Sequence, residues 1–237
     1  MSSDRLRGRT ALVTGATRGI GRRVAERLAE AGATVWVAAR SEEALAEVAG
    51  ATGANALPMD LADDASVWSA VDRLREQGDV PHIVVNAAGV FSTEPFASES
   101  VNAFDLNVDV NLRGAFLLVR AILPDLLERG SGLVMNVGSV AGRRPFAGNA
   151  AYSASKYGLR GLHEVLLEEL RGTGVRATLL EPAATDTTIW DPMDPDSDPN
   201  LPDRSAMLDP DDVAEAVLFV ATRPEHVQIP VLQIERA

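Results

Sequence analysis

Residues 9–21 read Arg9-Thr-Ala-Leu-Val-Thr14-Gly15-Ala16-Thr17-Arg18-Gly19-Ile20-Gly21, a short apolar run that breaks into a glycine-rich turn. An amphipathic helix follows from about Ile20 to Glu30 and is stopped by Gly32. This order constrains the fold more than any other stretch. Strand, glycine turn and helix in succession bring several unpaired helix N–H groups to one point, and glycines let a ligand approach the backbone there. Such a turn cradles a pyrophosphate, although the segment alone also fits a tight strand-to-helix connection with nothing bound.

The rest of the chain repeats the alternation. Apolar runs at 34–39, 54–59, 82–86, 132–137 and 175–180 are separated by helical stretches at about 41–50, 63–77, 102–128 and 152–171. Strands alternating with helices predict an α/β fold, a parallel sheet wound on both faces, without internal repeat or domain-sized linker. The second run ends Ala38-Ala39-Arg40-Ser41, and Arg40 lies 19 residues beyond Gly21. A site for NAD places an acid near this point to bind the ribose 2′-hydroxyl, whereas an arginine accommodates a 2′-phosphate. The missing acid, with Arg40 and Arg18 in its place, favours NADP(H).

Composition removes other classes. The 237 residues carry 22 basic and 34 acidic side chains, a net charge of −12, which reads against a nucleic-acid or anionic-membrane partner. The absence of cysteine leaves no disulfide framework and no thiol nucleophile. His82, His163 and His226 lack ligand spacing, which reads against a metal site. The N-terminus has no apolar leader, so the expected location is the cytoplasm.

A second constellation lies at residues 139–156, Ser139-Val-Ala-Gly-Arg-Arg-Pro-Phe146-Ala-Gly-Asn-Ala-Ala-Tyr152-Ser-Ala-Ser-Lys156. Lys156 is the single lysine among 22 basic residues, and Tyr152 is one of two tyrosines. A position that takes lysine in a chain that otherwise writes arginine asks for a compact ammonium able to pass on protons. On a helix, residues 152 and 156 share a face, and a cationic neighbour favours the phenolate, so the pair reads as a general acid/base. The spacing by itself also fits an amphipathic helix that happens to carry the two residues.

Together the motifs resemble the short-chain dehydrogenase/reductase family over essentially the whole chain. They are Thr14-Gly15-x-x-x-Gly19-x-Gly21, Asp60, Asn86-Ala-Ala-Gly89, Asn111, Ser139, Tyr152-x-x-x-Lys156, and Pro182 with Thr187. The resemblance implies a three-layer, doubly wound Rossmann sheet of about seven strands in one domain spanning 1–237. It implies Tyr152 as proton donor/acceptor, Ser139 on the substrate oxygen, Asn111 holding a water that links Lys156 to solvent, and Lys156 lowering the Tyr152 pKa. It implies cofactor contacts from Gly15, Thr17, Arg18, Gly19, Ile20 and Gly21, from Arg40, Asp60, Leu61, Asn86, Ala87 and Gly89, and from Tyr152, Lys156, Pro182 and Thr187. Asp60 would meet adenine and Asn86 would line the cofactor. The expected activity is NADPH-dependent hydride transfer between nicotinamide and a ketone or secondary alcohol. A carrier-bound 3-oxoacyl substrate facing Arg129 and Arg171, or a non-catalytic nucleotide sensor, are the alternatives. A homodimer or homotetramer built on the helices of Asn111 and Tyr152 is expected.

Two features depart from the family pattern: the residue after Pro182, and the ending Pro224-Glu-His-Val-Gln-Ile-Pro-Val-Leu-Gln-Ile-Glu-Arg-Ala237, which lacks the glycine pair many members carry at the last strand and is similar to the branch that reduces 3-oxo acids or oxidises 3-hydroxy acids and related small alcohols. Pro182 is followed by Ala183 where the family usually has glycine, which would strain the loop if φ there were positive. Residues 185–204 hold six aspartates and four prolines and cannot continue as a helix or strand through their middle. The resemblance makes 183–206 a substrate lid, with Ile189, Trp190 and Met193 as its apolar face and Phe91 and Phe146 as pocket walls.

Overall fold

The computed structural model describes residues 4–237. Its central sheet has seven parallel strands, β1 (Thr10–Thr14), β2 (Thr34–Ala39), β3 (Asn55–Pro58), β4 (Ile83–Asn86), β5 (Gly132–Val137), β6 (Val175–Pro182) and β7 (Val231–Ile234). They lie in the order β3-β2-β1-β4-β5-β6-β7. Helices α1 (Gly19–Glu30), α2 (Glu42–Thr52), α3 (Asp64–Glu76), α4 (Val101–Val108), α5 (Gly114–Arg129), α6 (Ala150–Glu169) and α7 (Pro210–Ala221) cover it.

Every residue of β1 and β4 is buried, because helices cover both sheet faces and both sides of each strand must be apolar. Alternate side chains part into two cores. Ala11, Val13, Val85 and Met135 pack under Val24, Leu28, Leu45 and Val217 of α1, α2 and α7. Leu12, Val84 and Val134 pack under Val71, Leu118, Ile122 and Leu166 of α3, α5 and α6. The strand order reverses between β1 and β4, so the loops leaving these strands diverge and open a crevice at their carboxyl ends.

The helix expected over 102–128 is interrupted. Residues 109–113 form a wide π-type turn between α4 and α5, and Asn111 sits in it. Helix α7 is absent from the sequence reading, although Asp209-Pro210-Asp211-Asp212 ahead of an apolar run is its start signal: the Asp209 side chain caps it and Asp212 returns the bond in a capping box. Ala183 carries no strain, since Asp194 is the only non-glycine with positive φ among the described residues. Its N–H instead donates to Ile234 O at 2.9 Å, extending the pairing of β6 with β7.

Candidate active site

The crevice is a cleft of about 1260 Å³. Its floor at the β1 end is backbone. Thr14 Oγ accepts the N–H groups of Ala87 at 3.2 Å and Ala88 at 3.1 Å, which ties the ends of β1 and β4 together. Gly15 has φ +65°, and a Cβ there would lie 2.6 Å from Ala88 Cα; one on Gly21 would lie 2.4 Å from Gly15 O. Only glycine fits either position. Helix α1 begins at this turn with no side chain capping it and no acid in its first turn, so its free N–H groups and positive dipole end face the cleft.

Arg18 and Arg40 both line this end of the cleft, and neither guanidinium has an ion-pair or hydrogen-bond partner among the described residues. Asp60 also lines it, its carboxylate accepting from Ala62 N–H at 3.0 Å. A glycine cradle with open N–H groups and two uncommitted guanidiniums fits a dinucleotide that carries an extra phosphate.

At the other end, Ser139 follows β5 and Tyr152 and Lys156 share one face of α6. Tyr152 and Ser139 line the same wall of the cleft, and the Ser139 hydroxyl also accepts the Ala141 N–H at 3.1 Å. Lys156 is buried, donates to Val137 O at 2.9 Å, and sits with Nζ 5.5 Å from the centre of the Tyr152 ring. The lysine does not lower the phenol here. Burial raises the Tyr152 pKa above its ordinary value, the neighbouring Ser139 hydroxyl pulls it partly back, and burial pushes Lys156 down to about 8. Desolvation is the largest influence on both groups, with Lys156 buried and Tyr152 half-buried.

Phe91 packs edge-on against Tyr152 with ring centroids 4.8 Å apart and against Trp190 at 5.0 Å. Trp190 Nε1 donates to Thr185 O at 3.1 Å, and the Thr187 side chain lies against Gly19. Residues 188–206 contain only short 3₁₀ turns, as their proline content requires. Arg204 organises them: it pairs with Asp186 and Asp191, each at 2.6 Å, and its N–H donates to Asp196.

Of the catalytic and cofactor residues singled out in the sequence, all line the cleft except Asn86 and Asn111; Ile189 and Trp190 of the expected lid face line it too, whereas Met193 does not. Asn86 lies behind it, donating to Asn136 Oδ1 at 2.8 Å, so it supports the sheet end and does not line the cofactor crevice. Asn111 is buried beside the cleft. It accepts from Val90 N–H at 2.8 Å and donates to Val90 O at 2.9 Å and to Ser155 Oγ at 3.0 Å, which fixes the loop after β4 against α6. Arg129 is not free to meet a carrier, because its guanidinium holds the carbonyls of Val80, Pro81 and Ser131. Arg171 pairs with Glu168 on the surface. Arg144, Asn149, Asn200 and Glu235 are among the cleft residues that no spaced motif marks in the sequence.

A sequence model of the short chain dehydrogenase family matches residues 9–198. An uncharacterized oxidoreductase of Staphylococcus saprophyticus is 33% identical over 230 residues, covering 94% of this chain and 95% of that protein. A structure described as ribose-5-phosphate isomerase from Brucella melitensis 16M superposes with TM-score 0.91 at 32% identity, covering 99% of this chain and 93% of the other. The closed form of a serine dehydrogenase complexed with NADP+ superposes with TM-score 0.88 at 33% identity, over 95% and 94% of the two chains. The parallel sheet, the glycine cradle and a family match over 190 of 237 residues agree: the chain belongs to the short-chain dehydrogenase family, as an oxidoreductase.

Proposed function

We propose that the protein is an NADP(H)-dependent oxidoreductase acting on a ketone or secondary alcohol. The observation that carries this reading is the convergence of Ser139, Tyr152 and buried Lys156, with Nζ 5.5 Å from the Tyr152 ring centre, in the wall of the cleft that begins at the glycine turn. The cofactor, when bound, supplies or takes up the hydride. Ser139 orients the substrate oxygen, and Tyr152 gives that oxygen a proton as the carbonyl is reduced, or removes it in the reverse direction. The raised phenol pKa keeps Tyr152 protonated and ready to donate. Lys156, lowered to about 8, can lose a proton near neutral pH and so refill the phenol. Asn111 fixes the loop and helix that hold these groups.

Arg18 and Arg40 select the 2′-phosphate of NADP(H), a reading supported by the NADP+ bound in the serine dehydrogenase of the same fold. Gly15, Thr17, Gly19, Ile20, Gly21, Asp60, Leu61, Ala87, Gly89, Pro182 and Thr187 complete the cofactor contacts, with residues 183–206 as lid of the single domain. Exposed Phe116 on α5 and Tyr157 and Val165 on α6 support a homodimer or homotetramer through these helices. The protein acts in the cytoplasm; among the described residues no helix is long and apolar enough to cross a membrane. The test is NADPH oxidation against a panel of ketones and 3-oxo esters. Tyr152→Phe is expected to keep NADPH affinity within about twofold and to lower kcat by two orders of magnitude or more, since it deletes only the transferred proton. Retention of a tenth of the rate would refute the role.

A further inference from the structure

A second cavity, of about 300 Å³, lies at the amino ends of β4 and β5, the end of the sheet opposite the cleft. Acidic side chains outnumber basic ones in the whole chain by 34 to 22, yet here the balance is inverted. Arg5, Arg9, Arg176 and Arg223 line the cavity, and Glu225 is its one acid among the described residues. Four cations against one carboxylate leave three positive charges in excess. Arg5 stands exposed at the rim, whereas Arg9, Arg176 and Arg223 are half-buried.

The partners these groups have leave most of that charge unanswered. Arg9 pairs with Glu225, and Arg176 donates to Val227 O at 3.0 Å. Arg223 lies over the Phe219 ring and donates to Phe219 O at 2.9 Å and to Thr222 Oγ1. A carbonyl or a hydroxyl takes a hydrogen bond but cancels no charge. Burial holds the Arg176 pKa below its ordinary value, with Glu225 pulling it back and Arg9 adding to the depression. His82, also on the cavity wall, adds a neutral donor. The Thr10 N–H donates to its Nδ1 at 3.0 Å, and because a backbone N–H cannot accept, the ring proton sits on Nε2, which has no partner among the described residues. Burial, joined by the charges of Arg129 and Arg9, lowers the His82 pKa against the pull of Glu225 and keeps the ring neutral.

We propose that this cavity binds a phosphate group, carried by inorganic phosphate or by a small phosphomonoester, at a site separate from the cleft. Guanidiniums and an imidazole N–H supply donors to several faces of a tetrahedral anion, and a dianion answers a threefold positive excess better than one carboxylate does. The cavity volume stands at the lower end for small-molecule sites, which suits a phosphate with a short substituent and excludes a dinucleotide. Glu225 takes the anion's place on Arg9 in the empty protein; exposed on the loop ahead of β7, it can turn to solvent when a ligand enters. Nothing in this site depends on the oxidoreductase reading of the cleft.

The test is calorimetry with inorganic phosphate at constant ionic strength on the Arg18→Leu/Arg40→Leu protein, which lacks the two cleft guanidiniums able to hold a phosphate. One saturable site per chain is expected, with acetate at least about tenfold weaker. Arg176→Leu in this background should weaken phosphate by at least about tenfold. Glu225→Gln should tighten it by at least about threefold, because Arg9 is released to the ligand. A variant that merely damaged the fold would not gain affinity. Glycerol 3-phosphate is the second probe: tighter binding than inorganic phosphate identifies a phosphomonoester as the ligand, and weaker binding identifies the free anion. Absence of saturable binding, equal affinity for acetate and phosphate, or an affinity left unchanged by Arg176→Leu or by Glu225→Gln overturns the inference. Binding seen in the wild type but lost in Arg18→Leu/Arg40→Leu places the anion in the cleft and overturns it as well.

Discussion

Replacing Lys156 with methionine should make the cofactor-free protein more stable while abolishing its activity. The ammonium is buried with no carboxylate beside it, and its one polar contact is the Val137 carbonyl at 2.9 Å. Burial lowers its pKa from 10.5 to about 8, so the unfolded chain holds this proton more tightly than the folded one. Stability tied to this group therefore rises with pH between about 8 and 10.5, and below 8 the full cost is present. At ~1.4 kcal/mol per pKa unit that cost is about 3 kcal/mol at pH 7 and falls to roughly 1.5 kcal/mol at pH 9.5. Methionine removes the charge but forfeits a neutral hydrogen bond of about 1 kcal/mol. The net gain is roughly 2 kcal/mol at pH 7, or about 4 to 8 °C in Tm for a chain of this size, and close to zero at pH 9.5. The raised phenol of Tyr152 keeps its proton longer in the folded state and so loses stability only above pH 10, outside this window and alike in both proteins. Thermal melts of both proteins at one fixed concentration, from pH 7 to 9.5, give the comparison. A variant that melts no higher than wild type at pH 7, or a gap that stays constant with pH, would refute the claim that the fold holds a desolvated ammonium at this position.

Two further outcomes are expected. NADPH should bind at least tenfold more tightly than NADH, since each charge-assisted bond from Arg18 or Arg40 to a 2′-phosphate contributes about 1.5 to 3 kcal/mol. Ala39→Asp with Arg40→Leu should reverse the order, and equal affinities in the unmodified protein, measured by calorimetry, would withdraw the assignment. Arg204→Ala should free residues 186–206 by removing the guanidinium shared by Asp186 and Asp191. Amide exchange in that segment should rise and substrate KM increase several-fold while Tm changes little, because the pairs are solvent-screened. Unchanged exchange would mean that Trp190, packed on Phe91, holds the lid instead.

The alternation of strands and helices, the glycine turn, and the shared helix face of Tyr152 and Lys156 are legible in the chain's residues alone, because each depends on positions only a few apart. The period of apolar side chains sets which elements form, and full burial of every residue in β1 and β4 follows from runs with no polar alternation. Even helix α7 was locally legible in its capping box. What the sequence left undecided depends on neighbours far along the chain. Thr14 gains its meaning only when Ala87 and Ala88 arrive to donate to it, and Asn86 is drawn away from the cleft by Asn136, 50 residues on. Spacing suggested that Lys156 would lower the Tyr152 pKa, but local spacing carries no information about solvent, and tertiary burial reversed the direction. Arg143 and Arg144 are the same residue type side by side. Only the folded chain, by bringing Glu181 and Glu235 to one and open space to the other, decides which guanidinium is committed to ion pairs and which is left solvated at the cleft.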